Sequence, residues 1–166
     1  MPYEMRVDGM AEISEMLDAF EEQAAGVAAR ALYEGAGIMA EEIKKGAESI
    51  RTAPFQYAKE GTRLPSPEEK EIVLAAAAGL AKFNKNGTEV DTSVGFRNSG
   101  YAELKGKMVP IPKIVNAINS GTSFMNKQPF VRKSAKTATP KTLEAMRKRI
   151  EAEFDAIGKK YKASMK

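Results

Sequence analysis

The sequence predicts an α-rich fold in which a short β region lies between two long helices. Three patterns support this prediction: an amphipathic stretch over residues 8–51, a second one beyond Pro140, and alternation of apolar and polar residues between Thr88 and Phe96. At 166 residues the chain is long enough to bury a core of its own. We therefore expect one domain that covers residues 1–166.

The first helix is predicted over residues 8–51, because apolar residues recur there every three or four positions. The first part of this stripe contains Met10, Ile13, Leu17, Phe20, Ala24, Val27 and Ala31. The stripe shifts by one residue near Gly35, and glycine weakens a helix interior by about 1 kcal/mol relative to alanine. We therefore expect a kink or a break near Gly35.

A continuous helix of this span is roughly 60 Å long, which exceeds what the core of a small domain needs. The surplus of the apolar stripe can pack on another subunit or on later helices of the same chain. On the first interpretation, the candidate interface residues are Met10, Ile13, Leu17 and Phe20.

A second helix is predicted over residues 66–84. Ser66-Pro67-Glu68-Glu69 combines an N-cap serine, a proline at the first helical position and a glutamate at the third. The apolar face of this helix contains Ile72, Val73, Ala76, Leu80 and Phe83.

Residues 88–135 are predicted to hold the β region. Thr88 to Phe96 alternates as a half-buried strand does, and Tyr101 to Val109 can return beside it as a hairpin. Pro110 to Pro112 indicates an edge or a connector. Residues 113–119 fit a short helix and a strand equally well.

The end of the chain is predicted to hold a short helical turn and then a basic helix. The turn covers Phe130 to Ala138 and stops at Thr139-Pro140, and the helix covers residues 140–165. Its apolar stripe contains Leu143, Met146, Ile150, Phe154, Ile157 and Tyr161.

Charge is distributed unevenly along the chain. From Arg132 onward the sequence has eleven lysines and arginines and four acidic residues, which gives this part a net charge of +7. The whole chain has a net charge of +4. A basic end on an acidic body can bind nucleic acid, contact another copy head to tail, or simply face solvent. Lys159, Lys160 and Lys162 are the candidate DNA-facing residues.

The composition argues against an enzyme. The chain has no cysteine and no histidine, so thiolate nucleophiles, zinc-thiolate sites and imidazole bases are absent. Neither phosphate-loop pattern, GxxxxGK[ST] or GxGxxG, occurs. The pairs Glu21-Glu22, Glu41-Glu42 and Glu68-Glu69 are expected to face solvent, since adjacent helical residues diverge by about 100°. We expect no catalytic residues, no cofactor and no metal; a carboxylate enzyme is the weakest alternative.

The chain also shows no membrane signal. No apolar run approaches the roughly 20 residues that span a bilayer, and the N-terminus lacks the apolar region of a secretory signal. We expect no membrane contact and synthesis in a cytoplasm.

The most distinctive stretch is residues 119–135, NSGTSFMNKQPFVRKSA. Gly121 permits a tight turn before Thr122, and Pro129 sets the direction of the next element. Phe130 is expected to be a buried anchor, and Arg132 is expected to face outward. Taken alone, these glycine and proline residues indicate a boundary between two elements and identify no catalytic or binding site.

This stretch resembles the "GTS…PF(V/I/M)R…A" segment of the tail-component family, the tail-completion or neck proteins of long-tailed bacteriophages. Val94–Phe96, Val109–Pro112 and Asn116–Thr122 extend the resemblance. It implies an α+β fold in which a long N-terminal helix and a C-terminal amphipathic helix pack on a small antiparallel sheet. It also implies a virion structural protein of the neck, made in the host cytoplasm.

The resemblance further implies assembly as a ring, commonly a hexamer, around the channel that DNA traverses. The expected partners are other copies of the chain, the connector or stopper, and the tail terminator or tail tube, with DNA contact in the channel. A ring needs a heterologous interface that closes, and the surplus stripe of the first helix can supply one. The alternative is a nucleic-acid-binding module that uses the basic C-terminal helix.

Overall fold

The computed structural model describes residues 10–56, 61–77, 79–80, 84–86, 89–96 and 100–164. In chain order its elements are α1 (Met10–Glu48), α2 (Pro67–Ala76), β1 (Gly79–Leu80), β2 (Asn84–Asn86), β3 (Glu89–Asp91), β4 (Val94–Gly95), β5 (Tyr101–Leu104), β6 (Lys107–Pro110), α3 (Ile111–Ser120) and α4 (Phe130–Ser164). The α+β class is confirmed, with a long helix at each end of the described chain.

Helices α1 and α4 lie side by side and run antiparallel. Their contacts extend from Gly46 against Ser134, near the start of α4, to Glu15 against Tyr161, near its end. The paired part of α1 is roughly 45 Å long at 1.5 Å per residue. α4 therefore packs mainly along α1, while the strands β1, β3 and β4 contact α1 elsewhere on its surface.

Gly35 lies where the two long helices approach each other closely. A Cβ atom on Gly35 would lie 2.7 Å from Cγ of Met146 and 2.9 Å from Cγ2 of Thr142. α1 runs unbroken through this position, so the predicted break is wrong. Gly35 allows the two helices to approach because it has no Cβ. Packing against α4 outweighs its weak helix propensity and keeps α1 continuous.

Pro140 lies inside α4, so the predicted stop at Thr139-Pro140 is also wrong. A proline lacks the N–H that would bond to the carbonyl four residues earlier. Ala138 is fully buried, and packing along α1 keeps the helix continuous.

α2 begins with the predicted capping box. The N–H of Glu69 donates to Oγ of Ser66 at 3.2 Å, and the N–H of Ser66 donates to Oε2 of Glu69 at 2.7 Å. The helix ends at Ala76 instead of near residue 84, because Ala77 is extended and the chain then enters β1. Leu80 therefore lies in a strand, and Phe83 lies outside the described residues.

The strands form three separate two-stranded antiparallel ladders within the described part of the chain: β1 with β4, β2 with β3, and β5 with β6. The predicted single strand from Thr88 to Phe96 is wrong. β3 and β4 belong to different ladders, and the chain between Asp91 and Val94 is in neither.

The hairpin β5–β6 forms by itself instead of returning beside residues 88–96. Its turn is Lys105-Gly106, with φ of 52° and 75°. Positive φ at both central residues suits a type I′ turn, whose twist matches that of the strands. Residues 101–109 are therefore not one strand: they form two short strands, and Gly106 lies in the turn that joins them.

α3 settles the ambiguous segment before Gly121 in favour of a helix. Pro112 lies in its first turn, where a missing N–H leaves no helix bond unmade. Its buried face joins the end of α1, α2 and the start of α4 in one core: Ala47, Ile50, Val73, Ile114, Val115, Ile118, Met125 and Phe130.

We predict opposite effects for alanine at two neighbouring glycines of α1. Gly35→Ala should destabilise the protein by about 1–3 kcal/mol, because overpacking of the α1–α4 contact outweighs the better helix propensity. Gly37→Ala, where a Cβ meets no atom within 4 Å, should be neutral or stabilise by up to about 1 kcal/mol. Urea denaturation measures both, and equal midpoints for the two variants would contradict the close packing at Gly35.

Candidate assembly surfaces

Residues 119–135 form the junction between α3 and α4. Gly121 ends α3, and its N–H donates to the oxygen of Ala117 at 3.0 Å. Its φ of 77° and ψ of 167° lie in a region that is essentially accessible to glycine alone. A Cβ there would also lie 2.9 Å from Cβ of Lys127 and 3.2 Å from its Cα. Glycine is therefore needed at position 121 for two reasons: the backbone angles there, and the close approach of Lys127 where the chain turns back.

The loop after Gly121 closes on itself. The N–H of Thr122 donates to the oxygen of Met125 at 3.0 Å, and the hydroxyl oxygen of Thr122 accepts from the N–H of Phe124 at 3.3 Å. This compact turn buries Met125 and leaves Phe124 half exposed.

Arg63 fastens this loop to the capped end of α2. Its N–H donates to the oxygen of Phe124 at 2.9 Å, and its own oxygen accepts from the N–H of Asn126 at 2.8 Å. Its guanidinium donates to both carboxylate oxygens of Glu69 at 2.7 Å. One arginine thus joins the loop to the helix cap.

The expectation that Glu69 faces solvent is wrong, since its residue exposure is 3%. Burial raises the pKa of Glu69, but hydrogen bonds from Arg63 and Ser66 outweigh burial and hold the pKa below its usual value. The sequence signal for this role was the capping box. No local pattern indicates Arg63 as the partner. Of the other two pairs, Glu21, Glu22 and Glu41 are exposed, and Glu42 is half-buried.

Two amides of this segment, to which the sequence pattern assigned no role, complete the junction. Gln128 accepts from the N–H of Arg51 and donates to its oxygen, both at 2.9 Å. Asn119 Oδ1 accepts from the N–H of Val131 at 3.2 Å, which satisfies a donor in the first turn of α4. Both amides pair with backbone distant in sequence, so periodicity could not have identified them.

The remaining motif residues lie at the start of α4. Pro129 is half-buried and Phe130 is 4% exposed, with its ring edge-on to Phe96 at a centroid distance of 5.7 Å. Arg132 is exposed. The 119–135 segment is therefore a structural junction, and it sets the direction in which α4 runs along α1.

The four candidate interface residues at the start of α1 differ in placement. Leu17 is 58% exposed, whereas Phe20 is half-buried, with its ring edge-on to Phe154 at 5.3 Å. The side chains of Met10 and Ile13 lie outside the described residues. Phe20 thus uses part of its apolar surface within the chain, as the alternative interpretation of the stripe expected.

The two long helices carry opposite charge. α1 holds nine acidic and three basic residues, and α4 holds ten basic and four acidic residues. Ion pairs cross the seam between them, including Arg30 with Glu153 and Lys141 with Glu42. Hydrogen bonds from Arg30 and then Arg149 lower the pKa of Glu153 to about 2.

Charged residues of α1 and α4 that do not pair across the seam are exposed wherever the structure describes their side chains. Lys159, Lys160 and Lys162 are exposed near the end of α4. Leu143, predicted on the apolar stripe, is 61% exposed on α4. Among the described residues, the exposed charges of α1 are mainly acidic and those of α4 are mainly basic, and α4 also exposes Leu143.

Within the described residues, no group of three acidic side chains is arranged to hold a metal ion. None of the helices in that part of the chain combines the length and apolarity that a membrane crossing requires. Comparison of the chain with protein-family models, curated proteins and solved structures finds no match.

We predict that Gly121→Ala is more damaging than Gly106→Ala. Both glycines have φ near +75°, so alanine is strained at both positions, by about 1–2 kcal/mol for the left-handed conformation. The strain is larger at Gly121, because its ψ of 167° places it in a region essentially limited to glycine. Only Gly121 also meets the backbone of Lys127, whereas a Cβ on Gly106 meets nothing within 4 Å. Thermal denaturation should show a larger loss of Tm for Gly121→Ala, and the reverse order would contradict the geometry of the junction.

Proposed function

We propose that the protein is a virion structural protein of the neck of a long-tailed bacteriophage, where it takes part in tail completion and head–tail joining. The observation that carries this proposal is the 119–135 segment, which resembles the signature of the tail-component family. Its residues have structural roles, since Gly121 makes the turn and Phe130 anchors α4 in the core. Such roles suit a part whose mechanism is assembly.

The charged helix pair supports assembly into a ring. A ring requires two different surfaces on each copy that fit each other. The exposed charges of α1, which are mainly acidic, and those of α4, which are mainly basic, supply two such unlike surfaces. We propose that the α4 face of one copy meets the α1 face of the next, with Leu143 as an apolar contact in the basic face.

The partners of such a ring are the neighbouring neck proteins, namely the connector or stopper on the head side and the terminator or tube on the tail side. DNA in the channel is a further contact. The role requires no cofactor and no turnover of a substrate, and its site of action is the assembled virion.

Cryo-electron microscopy of virions that carry this chain tests the ring. We expect several copies in a closed ring at the junction of head and tail. Lys136→Glu with Arg147→Glu on α4 should disrupt the ring, because each substitution puts a carboxylate where the proposed interface has a cation opposite the acids of α1. Adding Glu34→Lys and Glu41→Lys on α1 should restore it. A single copy per particle, or absence from the particle, would contradict the proposal.

The exposed lysines at the end of α4 favour a second candidate function, nucleic-acid binding. That function requires tight DNA binding that falls steeply with salt. Filter binding at two salt concentrations separates the two functions, with Lys159→Gln, Lys160→Gln and Lys162→Gln as the test variant. The neck proposal predicts weak binding to free DNA, and tight binding lost in the variant would favour the second function instead.

A further inference from the structure

A small pocket lies between the β5–β6 hairpin, α3 and the loop that precedes α4. Its volume is about 250 Å³. Ile114 and Met125, which are both buried, line it together with the half-buried side chains of Leu104 and Val109. Phe55 and Phe124 complete the apolar part of the lining, and the pocket lies away from the contact between α1 and α4.

The rim of this pocket is basic. Its lining includes four cations and one carboxylate, and that carboxylate, Glu69, is already bound by Arg63. Lys105 pairs with Glu68 at 3.5 Å. Lys107 and Lys113 are exposed and have no ion-pair or hydrogen-bond partner among the residues that the structure describes.

Local structure places these charges at the pocket. The Lys105-Gly106 turn reverses the chain, and Lys107 pairs in register with Leu104, so their side chains lie on the same face of the hairpin. Lys113 lies one residue before Ile114 of the pocket wall. Two cations without partners among the described residues therefore flank an apolar hollow.

The size of the hollow limits what can fill it. Sites for cofactors and drug-sized ligands usually measure about 300–1,000 Å³, so this hollow suits one or two side chains. Stacked nucleic-acid bases need free aromatic faces. Here the ring of Phe55 is already covered by Arg63 at 4.8 Å and Lys105 at 5.1 Å, so of the two aromatic residues in the lining only the half-exposed Phe124 could stack on a base. Size, shape and charge together favour a peptide.

We propose that this pocket binds an acidic segment of a partner protein. An apolar side chain of that segment fills the hollow against Ile114 and Met125, and carboxylates on either side of it pair with Lys107 and Lys113. The site goes beyond the proposed ring, because it recognises a chain segment and uses neither outer face of the α1–α4 pair. It gives the molecule a docking point for a protein other than its own copies.

The test uses a labelled heptapeptide that has a central phenylalanine between aspartates and glutamates, with fluorescence anisotropy as the measurement. We expect the full-length chain to bind it. A peptide with serine in place of phenylalanine should bind about tenfold more weakly, since the buried apolar surface is lost. Lys107→Gln with Lys113→Gln should weaken binding about fivefold.

The matched control is Lys159→Gln with Lys160→Gln on α4, which removes the same charge far from the pocket and should leave binding unchanged. All four lysines are exposed, and circular dichroism checks that each variant keeps its fold. Absence of peptide binding, equal binding of the serine peptide, or an equal loss in the α4 control would overturn the proposal. Displacement of the peptide by oligothymidine as effective as by unlabelled peptide would overturn it in favour of nucleic acid. None of these results bears on whether copies of the chain form a ring.

Discussion

The close antiparallel packing of α1 against α4 is the constraint on which the rest of the structure depends. Two glycines of α1, Gly35 and Gly46, meet side chains of α4 where a Cβ would clash. Because these contacts lie eleven residues apart on α1 and on opposite sides of Pro140 on α4, they fix the alignment of the two helices. With that alignment set, the end of α1 meets α2 and α3, and the core closes around Ile118 and Phe130.

The same packing determines what the molecule can present to others. Part of the apolar surface of the long helices is used within the chain, at Phe20 against Phe154 for example, and what the helices expose is mainly charged apart from Leu17, Tyr33 and Leu143. An acidic helix beside a basic one gives a body with two unlike sides. In the ring that we propose, the acidic helix of one copy meets the basic helix of the next. The pocket under the β5–β6 hairpin is separate, and its basic rim suits a different partner.

Features that neighbouring residues determine were predicted from the sequence, whereas features that depend on contacts between distant residues were not. The capping box at Ser66 and the terminal amphipathic helices were correct because neighbouring residues determine them. Gly35 and Pro140 indicated breaks on the same local logic, but packing between α1 and α4 outweighs both weaknesses. The buried pair of Arg63 and Glu69 could not be predicted, because its arginine lies in an irregular segment. In the 119–135 segment, Gly121 and Phe130 could be identified by residue type, whereas Asn119 and Gln128 act on backbone far along the chain.

An engineered disulfide between α1 and α4 tests the central packing most directly. A Cβ on Gly46 would lie 3.4 Å from Cβ of Ser134, close to the spacing of about 3.5–4.5 Å that a disulfide needs. The chain has no cysteine, so Gly46→Cys with Ser134→Cys introduces one defined pair, and Gly37→Cys with Ser134→Cys is the control about two and a half turns away. Non-reducing electrophoresis should show a nearly complete crosslink within one chain for the first pair and little for the second. Equal crosslinking of both pairs, or crosslinks between chains only, would contradict the account.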